Sequence, residues 1–96
     1  MEISKLRPGM NHVDVEGKIT DVSEPRQIRT KFGHQISLTT ATLEDDSGDI
    51  KITLWGDQSN GITEGVQIKV ENGFTKEFQG NLQLGVGKNG KITIVE

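Results

Sequence analysis

The chain has 96 residues, a length that suits one small domain with a single hydrophobic core and excludes two such domains. It contains no cysteine, which excludes disulfides and thiolate zinc sites, and its two histidines are too few to form a metal centre alone. The formal net charge of −3 excludes a surface that is basic throughout, although acids and bases are unevenly distributed along the sequence.

The composition also bounds the fold class and the location of the protein. Hydrophobic residues make up 31% of the chain and glycine accounts for 12 residues, which favours a loop-rich β protein over a helical bundle because glycine is costly inside helices. The sequence shows neither an apolar run long enough to cross a membrane nor a secretory leader. We therefore expect a cytoplasmic protein with little helix and no membrane partner.

Stretches in which apolar and polar residues alternate predict a series of short strands. Residues 1–12 carry apolar anchors around a Pro-Gly turn, and we expect them to form an N-terminal cover over the sheet. The predicted strands are 13–22, 35–43, 49–55, a strand from Val66, a strand that carries Leu82 and Leu84, and a short closing strand at 91–95. Residues 56–65 are too polar and glycine-rich for a full helix, and Ile62 is expected to pin them to the sheet.

Two of these strands predict local irregularities. Gly17 falls on the inward face of the first strand, where the missing side chain allows a neighbouring strand to approach closely. The apolar residues of 35–43 change parity between Leu38 and Ala41, which predicts a bulge near Thr39–Thr40.

The orientation of Phe74 depends on a second predicted bulge. Counting from Val66, strict alternation would point Phe74 into the core, and Lys76 with it. Burying an unpaired ammonium costs far more than a bulge at Asn72–Gly73 that reverses the alternation. We therefore predict that the face of segment 74–78 that carries Phe74, Lys76 and Phe78 is exposed.

Five strands and a short sixth, interrupted after the third by a polar segment, follow the order of an OB fold. We predict an all-β protein built as a five-stranded, Greek-key OB-fold barrel with little helix. It is expected to be a single domain over residues 1–96, in which residues 13–95 form the barrel.

Three of the four aromatic residues are predicted to lie beside cations. Trp55 shares a strand face with Lys51, and Phe74 and Phe78 share one with Lys76. Aromatic rings stack on unpaired bases at roughly 1–3 kcal/mol per base, while lysine and arginine neutralise phosphates, so this pattern is typical of single-strand binding. The alternative is a barrel-rim position for Trp55 and a core position for Phe74.

A basic segment without acids lies between Glu24 and Glu44 and reads RQIRTKFGH from residue 26, with a predicted tip at Phe32–Gly33. Its candidate binding residues are Arg26, Arg29, Lys31 and Phe32. We expect phosphate contacts from the three cations; the alternative is that they only solvate the surface and that Phe32 tethers the loop. The acids cluster instead at 44–49, where they are expected to keep nucleic acid off the back of the barrel.

The sequence also resembles a known family. The segments LRPGM, EPRQIRTKFG, DDSGDIKITLWG, EGVQIKVENGF and FQGNLQL resemble archaeal single-stranded DNA-binding proteins and replication protein A-like OB domains over nearly the whole chain. The resemblance implies single-stranded DNA binding in replication or repair, with stacking by Trp55, Phe74 and Phe78 and further contacts from Arg26 and its neighbours. Relatives often have tryptophan where Phe74 stands, and some carry a zinc-binding segment or a partner-recruiting tail that this chain lacks.

We therefore predict a nucleoid-associated protein that binds single-stranded DNA without sequence preference and needs no cofactor or metal. Replication and repair proteins are expected to bind it through regions outside this chain. Two alternatives stay open: an RNA-binding OB module serving tRNA or translation, and an OB domain used for protein contacts. An enzyme is not expected, because the sequence has no usable nucleophile–histidine set and no phosphate-cradling GxxxxGK[ST] motif.

Overall fold

The computed structural model describes residues 2–29, 31–56, 61–87 and 90–95, and it describes Phe78 by its backbone alone. Across these residues the chain is almost entirely strand, and its helical content is a short 3₁₀ turn at Ile3–Lys5. The all-β prediction with little helix is thus confirmed. No helix in this described part is long and apolar enough to cross a membrane.

The described residues form seven strands, five of which close into a ring. The strands are β1 (Val13–Val22), β2 (Arg26–Arg29), β3 (Gln35–Asp45), β4 (Gly48–Trp55), β5 (Gln67–Phe78), β6 (Asn81–Gly85) and β7 (Lys91–Val95). Around the ring β1 pairs with β3, β3 with β4, β4 with β6, β6 with β5, and β5 again with β1. All of these pairs are antiparallel except β4 with β6, which is parallel. This ring is the five-stranded frame of the OB fold.

Two strands lie outside the ring. β2 pairs only with the first residues of β3, so the two strands form a hairpin arm that ends in the turn before Gln35. The basic segment was predicted as a loop, but its first four residues are strand because they complete this ladder. β7 pairs with the first half of β5 and is the predicted closing strand.

The hydrophobic core fills the interior of the ring. Its fully buried members include Ile19, Leu43, Ile52, Leu54, Ile68 and Leu84, which alternate along their strands with outward residues. Ile52 and Leu84 face each other across the parallel pair β4–β6. Burying one such side chain stabilises the fold by roughly 1.5–3 kcal/mol relative to exposure. Ile62 is also buried, as predicted.

Residues 3–10 bind to the ring at two places. The side chains of Ile3 and Leu6 are buried in the core cluster. Further along, the backbone N–H of Met10 donates to the Thr75 hydroxyl over 2.9 Å, and the backbone N–H of Thr75 donates to the Met10 carbonyl, also over 2.9 Å. The Thr75 hydroxyl in turn donates to the carbonyl of Arg7.

The Asp45 carboxylate connects the 3₁₀ turn to the two-residue turn between β3 and β4. The backbone N–H of Ile3 donates to one carboxylate oxygen over 2.9 Å, while the hydroxyl and backbone N–H of Ser47 and the backbone N–H of Gly48 donate to the other. Burial acts to raise the pKa of Asp45, but these hydrogen bonds outweigh it and hold the pKa below its ordinary value of 3.8.

The predicted bulge near Thr39–Thr40 is wrong. β3 pairs with β4 without interruption from Leu38 opposite Trp55 to Asp45 opposite Gly48. The parity change arises because Leu38 lies on the outer side of the sheet beside Trp55, and not in the core. The irregularity is instead in β1, where the pairing with β3 shifts between Ile19 and Asp21.

Two other predictions about backbone geometry are confirmed. At Gly17 a Cβ atom would lie 2.5 Å from the carbonyl oxygen of Glu44, so only glycine allows β1 and β3 to approach this closely. Where β1 pairs with β5, Val15 lies opposite Val70 and Val13 lies opposite Gly73, which leaves one extra residue on β5. Asn72, within that bulge, has a φ of 57°.

Candidate nucleic-acid interface

Strand register brings residues from five strands onto one outward surface, which we call the outer face. Residues directly opposite one another on paired strands share a face, so the pairings define three rows across the sheet. The first row contains Thr42, Lys51, Gln83 and Lys76, the second contains Thr40, Thr53, Gly85 and Phe74, and the third contains Arg26, Leu38 and Trp55. The two aromatic residues therefore lie on the same face as three cations.

The Phe74 ring lies over the backbone of the neighbouring strand. A Cβ atom on Gly85 would be 2.5 Å from Cζ of the ring and within 3.1 Å of two further ring atoms, so the ring occupies the space that a side chain would need. The β5 bulge reverses the alternation as predicted, and Phe74 is half-buried on the outer face and outside the core cluster. The backbone of β6 thereby supports one face of the Phe74 ring.

Trp55 ends β4 and is 36% exposed. It lies opposite Leu38. A Cβ atom added to the next residue, Gly56, would lie 3.9 Å from the Ile36 side chain, an ordinary van der Waals distance. From strand geometry of about 3.3 Å per residue and about 4.8 Å per strand, the Cα atoms of Trp55 and Phe74 lie roughly 12 Å apart. The buried Thr53 lies between them in the register.

Two shallow grooves run along the outer face and meet at Thr40. One has a volume of about 640 Å³ and is lined by residues 23–26 together with Leu38 and Thr40. The other, of about 510 Å³, is lined by Thr40, Asp49, Lys51 and Gln83 among others. The Lys51 ammonium donates a hydrogen bond of 2.9 Å to the Thr42 hydroxyl, which places its charge within the second groove.

The predicted cations of the hairpin arm do not share one face. Arg26 lies opposite Leu38, in the row that contains Trp55. Arg29 lies opposite Gln35. Because side chains alternate along a strand and an odd number of residues separates Arg29 from Arg26, Arg29 points to the other side of the two-stranded arm. Both side chains are exposed. Lys31 lies at the arm's tip, with its ammonium 5.6 Å from the centroid of the Phe32 ring.

Phe32 does not tether the arm to the rest of the molecule. Its side chain is 77% exposed, the highest value among the exposed large hydrophobic residues of the described chain. The neighbouring Gly33 has a φ of 82°, which forms the predicted tip. This exposed ring, beside a cation at the end of a hairpin, is available to a ligand.

For Phe78 the structure describes the backbone, which ends β5 opposite Asn81. Its side chain lies outside the described part, so the predicted stacking role of Phe78 stays a prediction. Lys76, two residues earlier, is exposed in the first row.

The acids of 44–49 do not all lie behind the ring. Glu44 is opposite Asp49, and both are in phase with the neighbouring pair Thr42–Lys51, so they belong to the outer face. Asp49 also lines the same groove as Lys51. The expectation that these carboxylates occupy the back of the fold is therefore wrong for this pair: they bound the outer face at the end opposite Trp55.

Several residues of the outer face were missed by the sequence prediction. Leu38, Thr40 and Gln83 line its grooves, and His12 and Asn72 border the depression beside Phe74. The apolar parity of Ile36 and Leu38 is the available signal, but alternation within one strand predicts a bulge from it equally well. Polar residues such as Gln83 carried no signal, because a polar outward residue is ordinary on any strand.

A five-stranded ring that carries aromatic and basic residues on one face is the architecture of an oligonucleotide-binding OB fold. The chain belongs to the family of OB folds described as "Single-stranded DNA binding protein Ssb-like", which matches residues 6–94. The resemblance noted in the sequence is thus confirmed. The description of this family concerns binding and not a reaction, in line with the expectation that the chain is not an enzyme.

Individual relatives support this assignment. The chain is 38% identical over 91 residues to the single-stranded DNA binding protein Ssb of Saccharolobus solfataricus, covering 95% of this chain and 61% of the relative. It is 27% identical over 96 residues to replication factor A of Methanothermobacter thermautotrophicus, covering 95% of this chain but 12% of that protein. Among solved structures, the OB domain of Ta0387 from Thermoplasma acidophilum is similar with a TM-score of 0.85 and 26% identity, covering 99% of this chain and 85% of that one.

Proposed function

We propose that this protein binds single-stranded DNA in replication or repair, without sequence preference, by stacking bases on outer-face aromatics and neutralising phosphates with neighbouring cations. Trp55, Phe74 and Phe78 are the stacking residues. Arg26, Lys51 and Lys76 contact phosphates on the outer face, and Arg29, Lys31 and Phe32 add contacts where the strand passes the hairpin arm. The bound strand covers about 4–6 nucleotides, at the low end of the OB range.

The observation that carries the proposal is the placement of Trp55 and the supported Phe74 ring on one face with three cations. Because the Phe74 ring is held against the backbone of β6, it has already lost most of its rotational freedom, so stacking a base on it costs little additional entropy. The acids at Glu44 and Asp49 repel phosphates at one end of the face, which favours a path from the Lys51 row toward Trp55 and the arm. Membership of a family described by single-stranded DNA binding supports the same conclusion.

Titration with oligo-dT tests the proposal through the fluorescence of the single tryptophan. Stacking on Trp55 should quench the emission, and Trp55→Ala should weaken binding by about 5- to 150-fold, the range that corresponds to 1–3 kcal/mol per stacked base. Affinity of the variant is measured by anisotropy of a labelled oligonucleotide, since the intrinsic probe is gone.

The matched control is Ile94→Ala, which removes another exposed hydrophobic side chain, on β7 and outside the outer face. It should keep the wild-type affinity. Absence of binding by the wild type at low salt, or equal affinity for Trp55→Ala and wild type, would overturn the proposal. Competition with an RNA oligomer of the same sequence separates DNA binding from the RNA alternative.

A further inference from the structure

A depression of about 320 Å³ lies directly beside the Phe74 ring. It is lined by Asn11, His12, Asn72, Gly73, Phe74, Gly87 and Gly90. A Cβ atom on Gly87 would be 3.9 Å from the ring, so the floor next to Phe74 is backbone without a side chain. A base stacked on Phe74 would project its edge over this floor.

The far wall of the depression is a fixed pair of polar side chains. Nδ1 of His12 lies 2.7 Å from Oδ1 of Asn72, and the backbone N–H of Asn72 donates to the Asp14 carboxylate over 2.9 Å. His12 and Asn72 have φ values of 56° and 57°, a region that non-glycine residues adopt rarely. Two left-handed residues, His12 immediately before β1 and Asn72 on β5, hold the imidazole at the edge of the depression.

The partner of Nδ1 determines the hydrogen-bonding character of the imidazole. An amide oxygen can only accept, so Nδ1 of His12 must be the donor. In the neutral imidazole Nε2 is then an acceptor, and it is the nitrogen through which the exposed ring can bind a ligand. An acceptor here matches base edges that present an N–H₂ group, such as N4 of cytosine. The one donor on the thymine edge, N3–H, lies between the acceptors O2 and O4, which repel another acceptor, so thymine fits this nitrogen less well.

We infer that His12, positioned by Asn72, forms a base-edge subsite next to Phe74 that favours an amino-bearing base at this one nucleotide position. The inference rests on the proposed function and adds to it a position-specific preference within an otherwise sequence-tolerant site. One neutral hydrogen bond made in place of one with water corresponds to a preference of about two- to tenfold.

A scan of single cytosines through oligo-dT tests this subsite. Six-nucleotide oligomers, each with one thymine replaced by cytosine, are titrated at pH 8. One position should bind about two- to tenfold more tightly than unsubstituted oligo-dT. In His12→Gly this preference should disappear, and the local backbone should keep its conformation because glycine adopts the positive φ without strain.

The controls separate failure of the subsite from failure of the proposed function. His34→Gly removes the other histidine, which lies on the hairpin arm, and should keep the cytosine preference. A thermal melt of His12→Gly checks that the fold is retained. Tight binding of oligo-dT with identical scans for wild type and His12→Gly overturns the subsite alone, whereas no binding of any oligomer overturns the proposed function.

Discussion

Gly85 determines where the Phe74 ring lies. Because a Cβ atom at this position would come within 2.5 Å of Cζ, any side chain must displace the ring from the backbone of β6. The ring is the far end of a flexible side chain and can rotate away, so the fold should lose little stability while the stacking surface moves. Residue 85 is therefore expected to affect binding without contacting the ligand itself.

We predict that Gly85→Ala weakens oligo-dT binding about as much as Phe74→Ala, by about 5- to 150-fold, with a loss of unfolding free energy below about 1 kcal/mol. Anisotropy titration and urea denaturation measure the two effects. The double variant should bind no more weakly than either single variant, because both changes remove the same interaction.

Gly48→Ala is the matched control for this experiment, since a Cβ atom there meets nothing closer than 3.9 Å, at Ser4. It should leave binding unchanged. Additive losses in the Gly85→Ala, Phe74→Ala double variant would show that Gly85 acts by another route.

At the scale of elements, Asp45 joins the N-terminal segment to the β3–β4 turn. Its two carboxylate oxygens accept hydrogen bonds from both segments, and the ionised form is the better acceptor. Because the folded-state pKa of Asp45 is lower than the ordinary value of 3.8, this group stabilises the fold fully above about that pH. The contribution is lost as the pH falls through the lower pKa of the folded state.

Asp45→Asn should lower the free energy of unfolding by about 1 kcal/mol near neutral pH, because hydrogen bonds to a charged carboxylate are stronger than those to a neutral amide oxygen by about that amount. The difference from wild type should shrink as the pH falls below 3.8, as followed by urea denaturation at a series of pH values. Asp46→Asn removes the same charge from an exposed position in the same turn and is the control. A difference that grows toward acidic pH would contradict the assigned role.

At the scale of the whole molecule, the net charge of −3 conceals a separation of charge on the outer face. Arg26 lies at the Trp55 end, and Glu44 and Asp49 lie at the other. Each phosphate neutralised on a single strand contributes about −0.7 to the slope of log K against log salt concentration. The salt dependence of binding therefore counts the cations that contact phosphate.

Arg26→Gln should reduce the magnitude of this slope by about 0.7, and Arg29→Gln should reduce it less because Arg29 lies on the other side of the arm. Lys69→Gln is the control: Lys69 is exposed on the first half of β5, opposite Glu16 and Thr93 and away from the outer face. Equal slopes for all three variants would exclude a phosphate contact by Arg26.

Much of the local structure of this protein follows from its sequence alone, through the alternation of apolar and polar residues along each strand and the cost of burying charge. They predicted the bounds of β1 correctly, the close approach at Gly17 and the bulge that turns Phe74 outward, because each depends on residues near one another in the chain. The parity of Leu38 was misinterpreted for the converse reason: its outward position is stabilised beside Trp55, which is distant in sequence. Only the tertiary structure decided which outward residues become neighbours. Thr53, Gly85 and Phe74, or Arg26, Leu38 and Trp55, form rows because strand register is set by closure of the ring around one core, and alternation within a single strand carries no information about that register.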